Sequence, residues 1–534
     1  MSDEFDYIVV GAGSAGCVLA NRLTEDGKAT VLLLEAGPPD RNLWLKIPAG
    51  FSRVFFPSKI NWGYFTEPEP HLGGRKVYWP RGRTLGGTSS INGMIYTRGN
   101  ARDYDNWAQM GCTGWSWDEV LPFFKKSEGN ARGGSEFHSA AGPLSVQDTK
   151  LDDLGGRLFM RSAEEIGTPL INDLNDGRQF GVSRPQITVR GSRRASTATE
   201  FLRPARSRSN LQVECEALVQ RVDLEGRKAV GVTYSQGGKL HSVKARREVI
   251  LSGGVINSPQ LLMLSGIGPA EHLGSVGIAV QHHLPGVGQN LQDHAYCFFT
   301  ARTKREISWN HRLKMPRVGL ELLNYLATGQ GVMNMTAVLA TAYPMVGLGA
   351  AQPDVQISYR PISIAVGPKG TLESHPFPAV NASASLLRPQ ARGKIELASK
   401  DPAQYPRIYA NYFDNESDIM VMREGLRWIR RVFQTEPLAE YVVAEFEPGP
   451  DCQTDADYEH YIRSTSQTVH HQTSSCSMGT SSNAVVDPRL RVHGIGNLRV
   501  VDASIMPAIV SSNTNAPTIM IAEKGAAMIL EDWA

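Results

Sequence analysis

Phe5-Asp6-Tyr7-Ile8-Val9-Val10-Gly11-Ala12-Gly13-Ser14-Ala15-Gly16 is the stretch whose reading decides the fold. Its first half is a short apolar run, the pattern of one buried strand. Cys17-Val18-Leu19-Ala20-Asn21-Arg22-Leu23 continues with helical spacing, and Thr30-Val31-Leu32-Leu33-Leu34 is a second apolar run that ends in Glu35. Strand, glycine turn, helix, strand and acid, in that order, make a dinucleotide-binding βαβ unit. Gly11 permits the tight turn. Gly13 lets a pyrophosphate lie against bare backbone at the positive end of the helix, and Gly16 lets helix and strand pack closely. Glu35 is placed to accept hydrogen bonds from ribose hydroxyls, and its charge disfavours a 2′-phosphate. The unit alone does not choose between a nicotinamide and a flavin dinucleotide.

The chain around this unit has 534 residues, too many for one hydrophobic core, which stops growing near ~250–300 residues. Lys and Arg number 55 and Asp and Glu 53, for a net charge of +2. That field is too weak to recruit nucleic acid or an anionic membrane. The six cysteines show no C-x-x-C spacing, so a zinc ribbon is excluded, no metal site is expected and reduced thiols in a cytosol are. The N-terminus is acidic where a secretory leader is basic. The least charged stretch, Gly331 to Gln352, is interrupted by Asn334, Thr336, Thr341 and Pro344, which argues against a transmembrane segment. The protein is read as cytoplasmic, with a peripheral position at the inner membrane as the alternative.

Glycine is over-represented, at 52 residues, against an average near ~7%. Two further clusters carry the excess. One is Trp79-Pro80-Arg81-Gly82-Arg83-Thr84-Leu85-Gly86-Gly87-Thr88-Ser89-Ser90-Ile91-Asn92-Gly93. The other is Ser252-Gly253-Gly254-Val255-Ile256-Asn257-Ser258-Pro259, followed by Ser265-Gly266-Ile267-Gly268-Pro269. Consecutive glycines and small hydroxyl residues offer backbone N–H groups that can wrap an anion or a flat ring.

These clusters resemble the two signatures of the glucose–methanol–choline (GMC) family of FAD-dependent oxidoreductases, in its bacterial alcohol and choline dehydrogenase-like branch. The first signature is matched from Gly82 to Tyr104-Asp105, the second from Gly254 to Gly268, with Val255 where a small residue is usual. Pro285 to His294 and Leu498 to Pro507 also resemble the family, so the likeness spans essentially the whole chain in the family's order. It implies that the cofactor is FAD. It further implies that Gly11, Gly13, Ser14, Ala15, Gly16, Glu35 and Ala36 hold one end of the cofactor. Arg83, Gly86, Gly87, Thr88, Ser89, Asn92, Gly93, Met94 and Ile95 would line its pyrophosphate and ring edge. Val219 would meet the adenine, and Asp502, Ala503, Asn513 and Thr514 would close the site. Some relatives tether FAD through a histidine where this chain has Ile91, so the cofactor is expected to be non-covalent.

Oxidising an alcohol requires a neutral base near the carbinol hydroxyl, and histidine suits that task. In Thr468-Val469-His470-His471-Gln472-Thr473-Ser474-Ser475-Cys476-Ser477-Met478 the resemblance points to His471 as general base. Asn513 lies where the family has His or Asn. It cannot be the base, but it can donate a hydrogen bond to an alkoxide. Pro517 suits the first turn of a helix running on from Ile519 to Leu530, whose positive end would face the ring of the cofactor. His470 either tunes substrate polarity or fills volume. His294 is read as packing at a domain boundary. His282 and His283, adjacent on a strand, point to opposite faces and are not a metal pair.

Cofactor motifs at both chain ends make the first domain discontinuous. The expected fold is α/β, α+β overall: a Rossmann-like FAD-binding domain (1–155, 196–300 and 466–534) interleaved with a substrate domain (156–195 and 301–465) built on an antiparallel sheet covered by helices. Val355 to Tyr359 and Gly393 to Leu397 are read as its strands, and Arg317 to Leu326 and Ile419 to Val432 as its helices. The function implied is oxidation of a primary alcohol by proton abstraction at His471 and hydride transfer to flavin N5. The partners are a small-molecule alcohol and either oxygen or a quinone-type acceptor. The alternatives are a hydroxynitrile-lyase-like enzyme, a non-catalytic flavin-binding protein and a nicotinamide dehydrogenase. Polyether, aliphatic, aryl or furanyl and choline-like alcohols all stay open. Tyr296, Phe298, Phe299, Trp309, Tyr325, Met333, Met335 and Tyr359 are expected near the substrate.

Overall fold

The computed structural model describes residues 4–347, 349–366 and 372–534. Strand β1 (Glu4–Val10), helix α1 (Ser14–Leu23) and strand β2 (Val31–Leu34) form the βαβ unit read from the sequence. β1 lies in a seven-stranded sheet, between β2 and the strand Lys239–Leu251, parallel to both. All of β2, and β1 from Phe5 on, are buried, as parallel strands covered on both faces must be.

Register brings the carboxyl ends together. Val10 pairs with Leu34 on one side and Leu251 on the other. Gly11, Glu35 and Ser252 therefore follow at one edge, each tied to the next strand: Gly11 N–H donates to Leu34 O, Glu35 N–H to Glu214 O and Ser252 N–H to Val10 O. This edge is where open α/β sheets bind ligands. Helix α2 (Gly254–Leu264) starts here from the third glycine cluster. Gly16 meets its expected constraint: a Cβ on it would lie 1.9 Å from Gly11 O.

The second sheet, also seven-stranded, is antiparallel. Its centre is β3 (Ala295–Thr303), β4 (Val355–Arg360) and β5 (Ala379–Leu386), with β5 between the other two. Period-two alternation sorts its side chains. Phe299 packs on Phe433, and Tyr359 stacks on Phe159, beneath the helices that cover the outer face. The opposite face turns toward the first sheet.

Helices α3 (Arg317–Thr328) and α4 (Glu416–Phe433) form as expected. Gly393 to Leu397 contains the expected antiparallel strand. Lys394–Glu396 pairs only with Arg407–Tyr409, outside the large antiparallel sheet, because Ile395 N–H and Leu291 N–H tie this segment to the loop around Gly288. Helix α5 (Asn515–Asp532) closes the chain and packs on α1.

Candidate active site

A cavity of about 690 Å³ lies between the carboxyl edge of the first sheet and the inner face of the second. The two helix N-termini converge on it: Ser14 Oγ donates to Asn515 Oδ1 at 2.8 Å. Their dipoles place partial positive charge on one wall.

The three glycine loops form the dinucleotide end. Gly11 adopts φ +98°, and a Cβ there would strike Ser252 O at 2.6 Å. Gly13 differs: a Cβ on it would find its nearest protein atom at 4.0 Å and would project into the cavity. Gly254, at φ +81°, also faces space clear of protein atoms. Bare backbone that faces a cavity without crowding is a cradle for a ligand. Ser14, Ala15, Ala36, Arg83, Gly87, Thr88, Gly93, Met94, Ile95, Val219, Ala503 and Thr514 line the same cavity. Gly16, Gly86 and Ser89 lie behind its wall, where Ser89 Oγ donates to Gly86 O and accepts from Thr197 N–H.

Glu35 lines the cavity with both oxygens engaged: Ala12 N–H donates to Oε2 at 3.0 Å and Gly37 N–H to Oε1 at 2.8 Å. Burial pushes its carboxyl up to about 7. Asp502 accepts from Gly254 N–H and Ser258 Oγ, capping α2. Arg194, absent from the expected site residues, also belongs to this end. Its buried guanidinium donates to Asn92 O and Oδ1, both at 2.7 Å, and to Leu45 O, and so clamps the second glycine loop. Burial without an acid pulls it down to about 9. The glycine cradle, the two positive helix ends and the absence of crowding fit FAD.

The chemistry-bearing end centres on His471. Its backbone N–H donates to the buried Asp293 Oδ1 at 2.9 Å, and Asp293 Oδ2 also holds Gln472 Nε2, Thr468 and Tyr412. His470 takes φ +67°, a strained value for a residue with a Cβ, and Ser474 follows at φ +78°. Arg81 donates to His470 O and Gln472 Oε1, locking the turn. The His470 ring meets Phe55 edge-on at 5.5 Å, and its Nδ1 is buried with no partner among the described residues.

Hydrogen bonding assigns the tautomers. His294 Nε2 lies 3.1 Å from Leu387 O, an acceptor only, so Nε2 carries the proton. Burial pulls His294 down to about 3, so its ring is neutral and its Nδ1 is a lone pair. His471 Nδ1, 3.0 Å away, must donate to it. That leaves His471 Nε2 with the lone pair, which accepts from Asn513 Nδ2 at 3.0 Å. The Asn513 amide is oriented the same way from its other end. Thr97 Oγ1 donates to Asn513 Oδ1 at 3.1 Å and Gln356 Nε2 does so at 3.4 Å. Burial, then the neighbouring His294, His470 and Arg81, hold His471 well below its ordinary value, so it is a neutral base.

The sequence reading named His471 and Asn513 but took His294 for packing. The structure places His294 directly behind His471. It lies within the quoted Pro285–His294 stretch, yet nothing in the spacing showed which ring it would meet. Of the aromatic and methionine residues expected near substrate, Tyr296, Phe298 and Met335 line the cavity. Phe299 and Tyr359 face the covering helices by strand alternation. Trp309, Tyr325 and Met333 sit in separate buried clusters. Phe51, Phe55, Gln356, Arg360 and Tyr405 take part in the lining instead.

The chain is similar to known proteins along almost its whole length. A family model described as GMC oxidoreductase matches residues 5–296 with its N-terminal part, and its C-terminal part matches residues 389–522. Human mitochondrial choline dehydrogenase is 43% identical over 540 residues, covering 99% of this chain and 90% of the relative. Oxygen-dependent choline dehydrogenase 1 of Chromohalobacter salexigens is 41% identical over 532 residues, covering 98% and 94%. Among solved structures, a formate oxidase of Aspergillus oryzae RIB40 superposes with a TM-score of 0.92 at 28% identity, covering 100% and 99%. The pyridoxine 4-oxidase of Mesorbium loti superposes with a TM-score of 0.88 at 28% identity, covering 98% of each chain.

Proposed function

The chain belongs to the GMC oxidoreductase family, an FAD-dependent enzyme of alcohol oxidation, and from that premise we propose that His471 and Asn513 carry the proton chemistry on a primary alcohol. When bound, FAD supplies an acceptor for the hydride of the carbinol carbon. The chain's part is to remove the hydroxyl proton and hold what is left. His471 Nε2, which carries the lone pair, takes the proton. The resulting charge on the ring strengthens the Nδ1–H bond to His294. Asn513 Nδ2 donates to the alkoxide oxygen, where negative charge develops. The observation that carries this reading is the relay from Leu387 O through His294 to His471, which leaves Nε2 deprotonated beside Asn513.

The curated relatives are named for choline. A quaternary ammonium needs an anion or open aromatic faces. The acids lining the cavity, Glu35 and Asp502, are both at the dinucleotide end, and on the wall of the second sheet the Phe298 ring already carries the Arg360 guanidinium, which supports an alcohol other than choline. The electron acceptor is oxygen or a quinone-type compound, and relatives named oxygen-dependent support the first. No helix of the described residues is long and apolar enough to cross a membrane.

The test is an alcohol panel under air with peroxide detection, repeated anaerobically with an artificial acceptor. Bleaching of the yellow protein by an alcohol, slowed by several orders of magnitude in His471→Ala, is the expected result. Equal bleaching in the variant overturns the assignment of the base. A lyase using the same histidine turns over without bleaching.

A further inference from the structure

We propose that Arg360 binds a carboxylate on the substrate, so that the alcohol oxidised is a hydroxy acid. This deepens the alcohol-oxidation reading and rests on it. The inner face of the second sheet is a set of rungs. Gln356, Ser385 and Tyr296 stand opposite one another, and Ser358, Ser383 and Phe298 form the next rung. Gln356 reaches Asn513, so the first rung lies at the reacting end.

Arg360 starts one rung further on and bends back. Its Nη1 donates to Ser383 Oγ at 3.0 Å and to Ser358 O at 3.3 Å, and its Cζ lies 5.5 Å from the centre of the Phe298 ring. The guanidinium thus sits over the second rung, roughly 7 Å from the first, the rise of two strand residues.

Its chemistry is incomplete. Nε and Nη2 make no hydrogen bond among the described residues, and no acid there pairs with it. That free edge is the planar fork that receives a carboxylate bidentately. Burial pulls the guanidinium below its ordinary value, with the Tyr296 hydroxyl the opposing influence. The other cations lining the cavity have occupants: Arg81 holds the His470 turn and Arg83 stacks on Trp62. A cation brought to this wall meets an arginine already seated on the Phe298 face. Phe51, Met335 and Ile362 add apolar surface to the cavity, which suits the methylene chain of a hydroxy acid.

The experiment uses the FAD-loaded enzyme with ω-hydroxyhexanoate, hexanol and choline, following anaerobic bleaching. The wild type should prefer ω-hydroxyhexanoate. Arg360→Gln should raise its KM roughly 10- to 100-fold, the loss of a charge-assisted contact. Its kcat should change far less, the loss on hexanol should be several-fold smaller, and Arg360→Lys should recover part of the effect. Equal losses on both substrates, or a wild-type preference for hexanol or choline, overturn the proposal. Hexanoate, which cannot be oxidised, provides a second readout through its perturbation of the flavin absorbance. If no alcohol bleaches the flavin, the alcohol-oxidation reading fails. Hexanoate binding lost in Arg360→Gln then still supports the anion site, and hexanoate binding that is absent or unchanged overturns it.

Discussion

His471 and His294 face each other through their Nδ1 atoms at 3.0 Å, and the Leu387 carbonyl behind His294 decides which of them donates. A backbone oxygen can only accept. Its position therefore sets one tautomer, then the next, and finally the atom that is free to take a proton.

Replacing His294 should act on that chain. His294→Ala leaves the His471 Nδ1–H buried without an acceptor, at a cost of about 1–3 kcal/mol. The ring can avoid the cost only by moving its proton to Nε2, which removes the base. Flavin reduction by alcohol should slow by roughly 10- to 100-fold, with the pH profile of the reductive step shifted. Stopped-flow reduction across pH reads both, and an unshifted profile would leave His294 with packing alone.

Asn513 should matter as a donor. Asn513→Ala should slow reduction by roughly 10²–10³-fold, the usual loss for one oxyanion donor. Asn513→Asp should do worse, because it sets a carboxylate against the His471 lone pair. Flavin content, read from the visible spectrum, should hold in the alanine variant.

The depressed histidines give pH dependence a definite sign. His471 must be neutral to act, and its position below the ordinary value predicts rates that are level above about pH 6.5 and fall only in acid. Stability follows the same rings. His470 and His294, pulled down to about 3, stay neutral in the fold, while an unfolded chain protonates them from about 6.5 downward. Folding stability from these rings is therefore lost as pH falls from about 6.5 toward 3, by up to about 1.4 kcal/mol per pH unit for each ring. Melting curves of wild type and His470→Phe should diverge across that window, with the variant less acid-sensitive.

The two motif glycines should fail differently. Gly16→Ala drives a Cβ into Gly11 O at 1.9 Å and should destabilise the fold by about 1–3 kcal/mol. Gly13→Ala meets no protein atom closer than 4.0 Å, so the apoprotein should melt like wild type while its FAD occupancy falls. Melting temperature and the ratio of flavin to protein absorbance separate the two.

Ile91 borders the cavity where a tethering histidine would stand. Acid precipitation should leave FAD in the supernatant. Flavin that sediments with the protein would contradict a dissociable cofactor.

What was legible in the sequence is what chain-local physics controls. The glycine spacing in Gly11-Ala12-Gly13-Ser14-Ala15-Gly16 dictates a turn and a helix start, and strand, helix and acid follow within a few residues. The family resemblance, rather than local physics, pointed to His471 and Asn513, which the structure brings to 3.0 Å of each other. Side-chain pairings across hundreds of residues were not legible. His294 is 177 positions from His471, and no periodicity brings them together. The pairing of β3 with Gln467–Thr468, continued by Val469 N–H donating to His294 O, does so next to the strained turn at His470. Likewise a two-residue alternation puts Phe298 in the cavity and Phe299 under a helix, a choice set by which face of the second sheet meets the first. Local geometry wrote the cradle. Tertiary packing chose the tautomer, and it left one guanidinium edge facing the cavity.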